Sequence, residues 1–125
     1  MKRFLCLITA VLLILSLAGC TDTLMTTSEY KKLDSFASRH KPGMTPQAVL
    51  EELGYPDGYI GTDGLYHPIE YAHREQQKEA LLTGGKVWFY ECWKYSDPRD
   101  PYRLKITFNN QNLSDTVELL AVAGG

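Results

Sequence analysis

The spacing of apolar residues changes along this chain, and each spacing predicts a different kind of structure. Two cations, Lys2 and Arg3, precede a mostly apolar run from Phe4 to Leu15. From residue 28 to residue 53 the apolar positions recur every three or four residues, which is typical of helices that bury one side. From residue 87 onward they form runs of aromatic and β-branched residues, which favour strands. The pattern therefore predicts a leader, two helices and then a sheet.

The first helix is predicted to span Ser28 to about His40. Thr26 with Glu29 three residues later resembles a capping box, and Ser28 is an alternative N-cap. Pro42 and Gly43 follow the helix and end it. The apolar side is formed by Tyr30, Leu33, Phe36 and Ala37.

The second helix is short and has clear signals at both ends. Thr45 is a typical N-cap, and Pro46 suits the first helical position, where the missing N–H costs nothing. Met44 before the cap is placed to pack on Val49 as a hydrophobic staple. Gly54 ends the helix and Pro56 lies just beyond it. The apolar stripe of Val49, Leu50 and Leu53 must dock on something, because about eight residues cannot form a stable helix alone.

Residues 57–85 carry the weakest pattern. Gly58, Gly61 and Gly64 indicate a mobile loop. The composition from Tyr71 to Leu82 favours a helix, ended by Gly84 and Gly85. Its apolar stripe is thin, so any helix there should be peripheral.

Three strands are predicted after this segment. Residues 87–95 form the strongest, with Trp88, Tyr90, Cys92 and Lys94 on one face and Val87, Phe89, Glu91, Trp93 and Tyr95 on the other. Arg103 to Phe108 alternates, with Leu104, Ile106 and Phe108 inward. An asparagine-rich turn over residues 109–112 leads to a third strand over residues 116–122.

The leader ends in Leu17-Ala18-Gly19-Cys20, which resembles the lipobox of bacterial lipoproteins. A membrane-spanning helix is the alternative, but the run to Gly19 is shorter than the ~20 residues needed to cross a bilayer. The resemblance implies cleavage before Cys20 and a lipid anchor on this cysteine, with acyl chains such as palmitate. Thr21 after it, where aspartate would retain the protein, implies transfer to the outer membrane. The chain then divides into a signal peptide (1–19), a lipidated tether (20–27) and one domain (28–122).

The composition limits the classes of molecule that the protein is expected to bind. Loss of Lys2 and Arg3 with the leader takes the net charge from −2 to −4, which argues against nucleic acid binding. Protein, lipid or an envelope polymer remain as partners. Of the three cysteines, Cys6 leaves with the leader and Cys20 carries lipid, so Cys92 cannot form an intramolecular disulfide. A free cysteine is among the most often buried residues, and we expect Cys92 to be buried.

One segment resembles a known family. Gly43-Met44-Thr45, then Val49, then Leu53-Gly54-Tyr55-Pro56 are similar to the signature of the SmpA/OmlA lipoproteins, the BamE-like group. The resemblance implies an α+β fold in which two N-terminal helices pack on a three-stranded antiparallel sheet (ααβββ), here with a loop or helix inserted before the first strand. It also implies a non-enzymatic accessory subunit of outer-membrane protein assembly, facing the periplasm. The alternative is an inhibitor or ligand-binding module like the β-lactamase-inhibitor-type domains of similar architecture.

No catalytic motif appears in the sequence. Neither Cys-x-x-Cys nor His-Glu-x-x-His is present, and there is no Gly-x-Ser-x-Gly elbow. We therefore predict no metal, no cofactor and no enzymatic activity. The aromatic strand supplies the candidate contact residues, because a sheet with helices on one side exposes its other face. These are Trp88, Tyr90, Trp93 and Tyr95, and packing against the long loop is the competing interpretation.

Overall fold

The computed structural model describes residues 25–122, which form three α-helices and five antiparallel strands. The mixed α+β class is as predicted. Cys20 and the rest of the leader and tether up to residue 24 lie outside the described residues. The helices are α1 (Ser28–Arg39), α2 (Pro46–Leu53) and α3 (Arg74–Gly84); the strands are β1 (Gly58–Ile60), β2 (Tyr66–Pro68), β3 (Val87–Trp93), β4 (Pro101–Phe108) and β5 (Ser114–Ala121).

The sheet has five strands in the order β2-β1-β3-β4-β5, so the three-strand layout is incomplete. The segment that we predicted to be a mobile loop contributes the β1–β2 hairpin. Gly58–Ile60 pairs with Val87–Phe89 on one side and with Tyr66–Pro68 on the other. A three-residue strand is too short to show a period in the sequence. Its partner β3 lies almost 30 residues later in the chain. The local hairpin with β2 and the long-range pairing with β3 together make these residues a strand.

The last three strands pair in chain order and correspond to the three antiparallel strands that were predicted. Trp88 lies opposite Ile106, which lies opposite Val117 in β5. Leu104, Ile106 and Phe108 are buried, as the alternation predicted. Two strand limits differ from the predicted ones: β3 stops at Trp93 and not at residue 95, and β4 begins at Pro101 and not at Arg103. In the turn before β5, Asn112 has φ 58°, the left-handed conformation that asparagine tolerates.

The N-terminus of α1 is capped by a residue that we did not predict. The Thr27 hydroxyl accepts a hydrogen bond from the Tyr30 N–H at 3.2 Å. Thr26, the predicted capping-box residue, instead forms a β-bridge with Tyr95. The helix is thereby fixed to the end of β3, and Leu33 and Phe36 on its apolar side are buried.

Helix α2 has the predicted ends. The Thr45 hydroxyl accepts a hydrogen bond from the Ala48 N–H at 3.1 Å, and Pro46 is the first helical residue. Gly54 has φ 81°, which favours glycine, and its N–H donates to the Leu50 carbonyl at 2.8 Å. Val49, Leu50 and Leu53 are buried. Pro56 is buried too, and Met44 packs against the core.

One core joins the helices to the inner face of the sheet. Helix α3 contributes only Leu81 to it, which confirms the expectation of a peripheral helix. The residues of β3, β4 and β1 that point to the same side complete the core. Its buried apolar members are Leu33, Phe36, Val49, Leu50, Leu53, Tyr59, Leu81, Trp88, Tyr90, Cys92, Leu104, Ile106 and Phe108.

Candidate interaction surface

Two of the four predicted contact residues belong to the core. Trp88 is fully buried and Tyr90 is 5% exposed, so neither can meet a partner at the surface. The Tyr90 hydroxyl donates a hydrogen bond to the Gly54 carbonyl at 2.7 Å, and burial raises the pKa of this phenol. Tyr90 therefore ties β3 to the end of α2, and the prediction of Trp88 and Tyr90 as contact residues is corrected.

The other two predicted residues lie at one end of the domain. Trp93 is the last residue of β3, points to the outer face and is 46% exposed. Tyr95 lies beyond the strand and is half-buried next to its bridge with Thr26. The sequence could not distinguish these rings from Trp88 and Tyr90, because aromatic residues stand on both faces of the strand.

The outer face of the sheet, which the helices leave uncovered, carries a patch that the sequence analysis did not identify. Its members are Tyr66, Phe89, Arg103 and Leu120, here called the outer-face patch. Tyr66 and Leu120 are 51% and 47% exposed. The four members of the patch come from four different strands, β2, β3, β4 and β5. Arg103 lies directly opposite Leu120.

The rings and the guanidinium group of this patch contact one another. The Tyr66 ring lies across Gly58, where a side chain on residue 58 would collide with it. Its centroid is 6.1 Å from that of Phe89. The Arg103 guanidinium stands 5.2 Å from the Phe89 centroid on a neighbouring strand. The missing side chain of Gly58 thus permits Tyr66 to extend the apolar surface of Phe89.

An ion pair borders the patch. The Arg103 guanidinium donates to the Glu91 carboxylate at 2.6 Å, directly across the β3–β4 pair. Asp57 accepts a hydrogen bond from the Glu91 N–H at 2.7 Å, and burial raises the pKa of this carboxyl group. Rings bordered by paired charges are typical of a protein contact surface, where aromatic residues and arginine are enriched.

A second group, of three exposed residues and the half-buried Tyr95, lies where the chain enters the domain. Its members are Met25, Trp93, Tyr95 and Arg99, here called the tether-end cluster. Met25 is 62% exposed, and the Arg99 guanidinium lies 5.5 Å from the centroid of the Trp93 indole. A groove of about 480 Å³ opens beside them, lined by Thr27, Glu29, Trp93 and Tyr102 among others.

The remaining candidate chemistry is sparse. Residues 25–122 hold no cluster of three side chains able to ligate a metal, and none of their helices is long and apolar enough to span a membrane. His67 and Asp63 form an exposed pair at 3.0 Å. Cys92 is buried, as predicted, and burial raises the pKa of its thiol to about 11. A protonated, buried thiol is a poor nucleophile.

The sequence contained part of the signal for the outer-face patch. Phe89 was placed on the face opposite Trp88, and Arg103 on the outward side of its strand. Tyr66 could not be assigned, since it lies in the segment that we read as a loop. Leu120 became assignable only through the β4–β5 register.

Comparisons with protein-family models, with curated proteins and with solved structures each find no match to this chain.

Proposed function

We propose that this chain is a non-enzymatic lipoprotein of the outer membrane, anchored through acylated Cys20 and facing the periplasm. In this proposal it resembles the SmpA/OmlA, BamE-like accessory subunits of outer-membrane protein assembly and supports envelope integrity through protein–protein contacts. The lipobox-like Leu17-Ala18-Gly19-Cys20 supports the anchor, and the Gly43-Met44-Thr45 segment with the capped helix α2 supports the family.

One observation carries the proposed contact function. The three helices contribute their buried residues to one side of the sheet, whereas the outer-face patch lies on the other side. Exposed large apolar residues that lie together, with an arginine among them, are characteristic of interaction sites. Tyr66 and Leu120 lie outside the core, so both are available to a protein partner that covers the outer face of the sheet.

The anchor and the patch would act together. A lipid on Cys20 confines the domain to a thin layer beside the membrane, which raises its effective concentration toward a membrane-bound partner. A contact of modest area then suffices. This is the physical reason for placing a small binding domain on a short tether.

Affinity capture of the native, lipidated protein from membranes tests the proposal. Wild type should capture one or more envelope proteins. Tyr66→Ala and Leu120→Ala should each weaken that interaction by about 2 kcal/mol, roughly 30-fold in affinity, because they truncate contact side chains. Tyr71→Ala is the matched control, since Tyr71 is 79% exposed and lies outside the patch.

The anchor is tested separately by Cys20→Ser. This variant should leave the membrane fraction and accumulate as an unprocessed precursor. A variant that still fractionates with the outer membrane at the mature size contradicts the proposed anchor. Equal capture by wild type, Tyr66→Ala and Leu120→Ala contradicts the proposed contact surface.

A further inference from the structure

We infer that the tether-end cluster of Met25, Trp93, Tyr95 and Arg99 rests in the headgroup region of the membrane that holds Cys20, so that the domain stands on this end. The inference rests on the proposed anchor and adds an orientation and a lipid-contacting surface. It assigns Trp93 to lipid and leaves the outer-face patch to protein.

The chain enters the domain at this end and is fixed there. Thr26 bridges to Tyr95, and the Thr27 N–H donates to the Lys94 carbonyl at 2.9 Å. The Thr27 hydroxyl also donates to the Trp93 carbonyl. The chain toward Cys20 therefore leaves the domain beside Trp93 and Tyr95, at a point that these hydrogen bonds fix.

The length of the tether excludes the opposite orientation. Five residue steps separate Cys20 from Met25, which span at most about 18 Å when fully extended. β4 alone extends about 23 Å from Pro101 to Phe108 at ~3.3 Å per residue. If the turn after Phe108 touched the bilayer, Met25 would lie farther from the surface than the tether reaches. The end that carries Trp93 must face the membrane or lie close to it.

The exposed side chains at this end suit an interface between water and lipid. A tryptophan ring with its polar N–H and a tyrosine are enriched at the level of the headgroups, and arginine extends its charge toward them. Met25 adds apolar surface next to the tether. Within residues 94–100 the two cations, Lys94 and Arg99, are matched in number by Asp97 and by Asp100. The contact is therefore made by rings, and it should not require anionic lipid.

Quenching of tryptophan fluorescence by brominated phosphatidylcholine tests this orientation. The mature chain, residues 20–125, contains every described residue of the domain and can be coupled through the Cys20 thiol to a maleimide-bearing phospholipid in phosphatidylcholine vesicles. Trp88 is fully buried and serves as an internal reference. We expect the bromines to quench wild-type emission, and Trp93→Phe to abolish that quenching. Replacing part of the phosphatidylcholine with phosphatidylglycerol should change the result little.

A ring moved to the opposite end is the matched control. In the double variant Trp93→Phe/Asn110→Trp the indole lies in the exposed turn after β4, and we expect no quenching. Equal quenching at both positions, or none in wild type, overturns the inference. Absence of quenching in wild type would indicate that Trp93 contacts a protein partner and not lipid. Because the lipid is attached chemically, these outcomes are independent of whether cells acylate Cys20, which the Cys20→Ser experiment decides.

Discussion

The His40 ring and the Ser114 hydroxyl lie 2.7 Å apart, Nε2 to Oγ, and join the end of α1 to the start of β5. Ser114 is fully buried, and its hydroxyl also accepts a hydrogen bond from the Met44 N–H at 2.9 Å. Its backbone accepts from the Gly43 N–H and donates to the Met44 carbonyl, each at 2.8 Å. One serine thus holds the α1–α2 connection against the sheet.

Replacement of this serine should loosen the helical layer. Ser114→Ala leaves the Met44 N–H without its side-chain acceptor, and it removes the partner of His40. We expect the free energy of unfolding to fall by about 1–3 kcal/mol, the usual cost of an unsatisfied buried polar group. Urea unfolding monitored by circular dichroism measures it. Ser96→Ala, at an exposed position, is the control and should change little; equal losses in the two variants would contradict the role of Ser114.

The partial burial of His40 should make stability depend on pH. Burial lowers the pKa of His40 in the folded protein below its ordinary value. Between the folded and the unfolded pKa the unfolded chain binds more protons, so stability falls as the pH drops below about 6.5 and levels off below the folded pKa. Urea unfolding of wild type and His40→Gln from pH 8 to pH 5 tests this. The difference between the two proteins should shrink as the pH falls, and a constant difference refutes the linkage.

Two adjacent glycines should respond oppositely to alanine. A Cβ on Gly85 would lie 2.5 Å from the Leu81 carbonyl oxygen and 2.6 Å from the Trp88 indole nitrogen, whereas one on Gly84 meets nothing within 4 Å. Gly85→Ala should lower the free energy of unfolding by about 1–3 kcal/mol through overpacking. Gly84→Ala should raise it by about 0.5–1 kcal/mol, because alanine loses less backbone entropy in a helix. Thermal melts of both variants test the pair, and a stable Gly85→Ala would show that the backbone shifts freely there.

The aromatic residues of β3 should separate into core and surface. Trp88→Ala should cost about 3–5 kcal/mol of stability, since it removes a fully buried ring. Trp93→Ala, at the outer face, should leave the melting temperature nearly unchanged. Thermal unfolding of both variants decides the matter. A large loss at Trp93 would mean that its ring packs on the domain more tightly than its exposure indicates.

Cys92 should react slowly with thiol reagents while the protein is folded. It is buried, and burial raises the pKa of its thiol to about 11, so little thiolate exists at pH 8. Labelling by Ellman's reagent of residues 20–125 carrying Cys20→Ser, in which Cys92 is the remaining thiol, measures the effect with and without urea. Rapid labelling without urea would show that the sheet opens at this position.

The sequence determined the elements whose signals are local. The N-cap of α2, its proline at the first position and the glycine that ends it act within a single helix, so Thr45, Pro46 and Gly54 could be assigned from neighbouring residues alone. The inward positions Leu104, Ile106 and Phe108 followed from strict alternation in one strand. The prediction of a buried Cys92 also held, because it depended on residue type.

The tertiary structure decided everything that joins distant parts of the chain. β1 joins the main sheet through its pairing with β3, and Ser114 acquires its role from Met44 and His40, about 70 residues earlier. Which aromatic residues of β3 are buried depended on the side that the helices cover, and aromatic residues on both faces removed any contrast. Local backbone preferences depend on consecutive residues, so a sequence pattern reveals them. Strand pairing and the choice of the buried face depend on contacts between residues far apart in sequence.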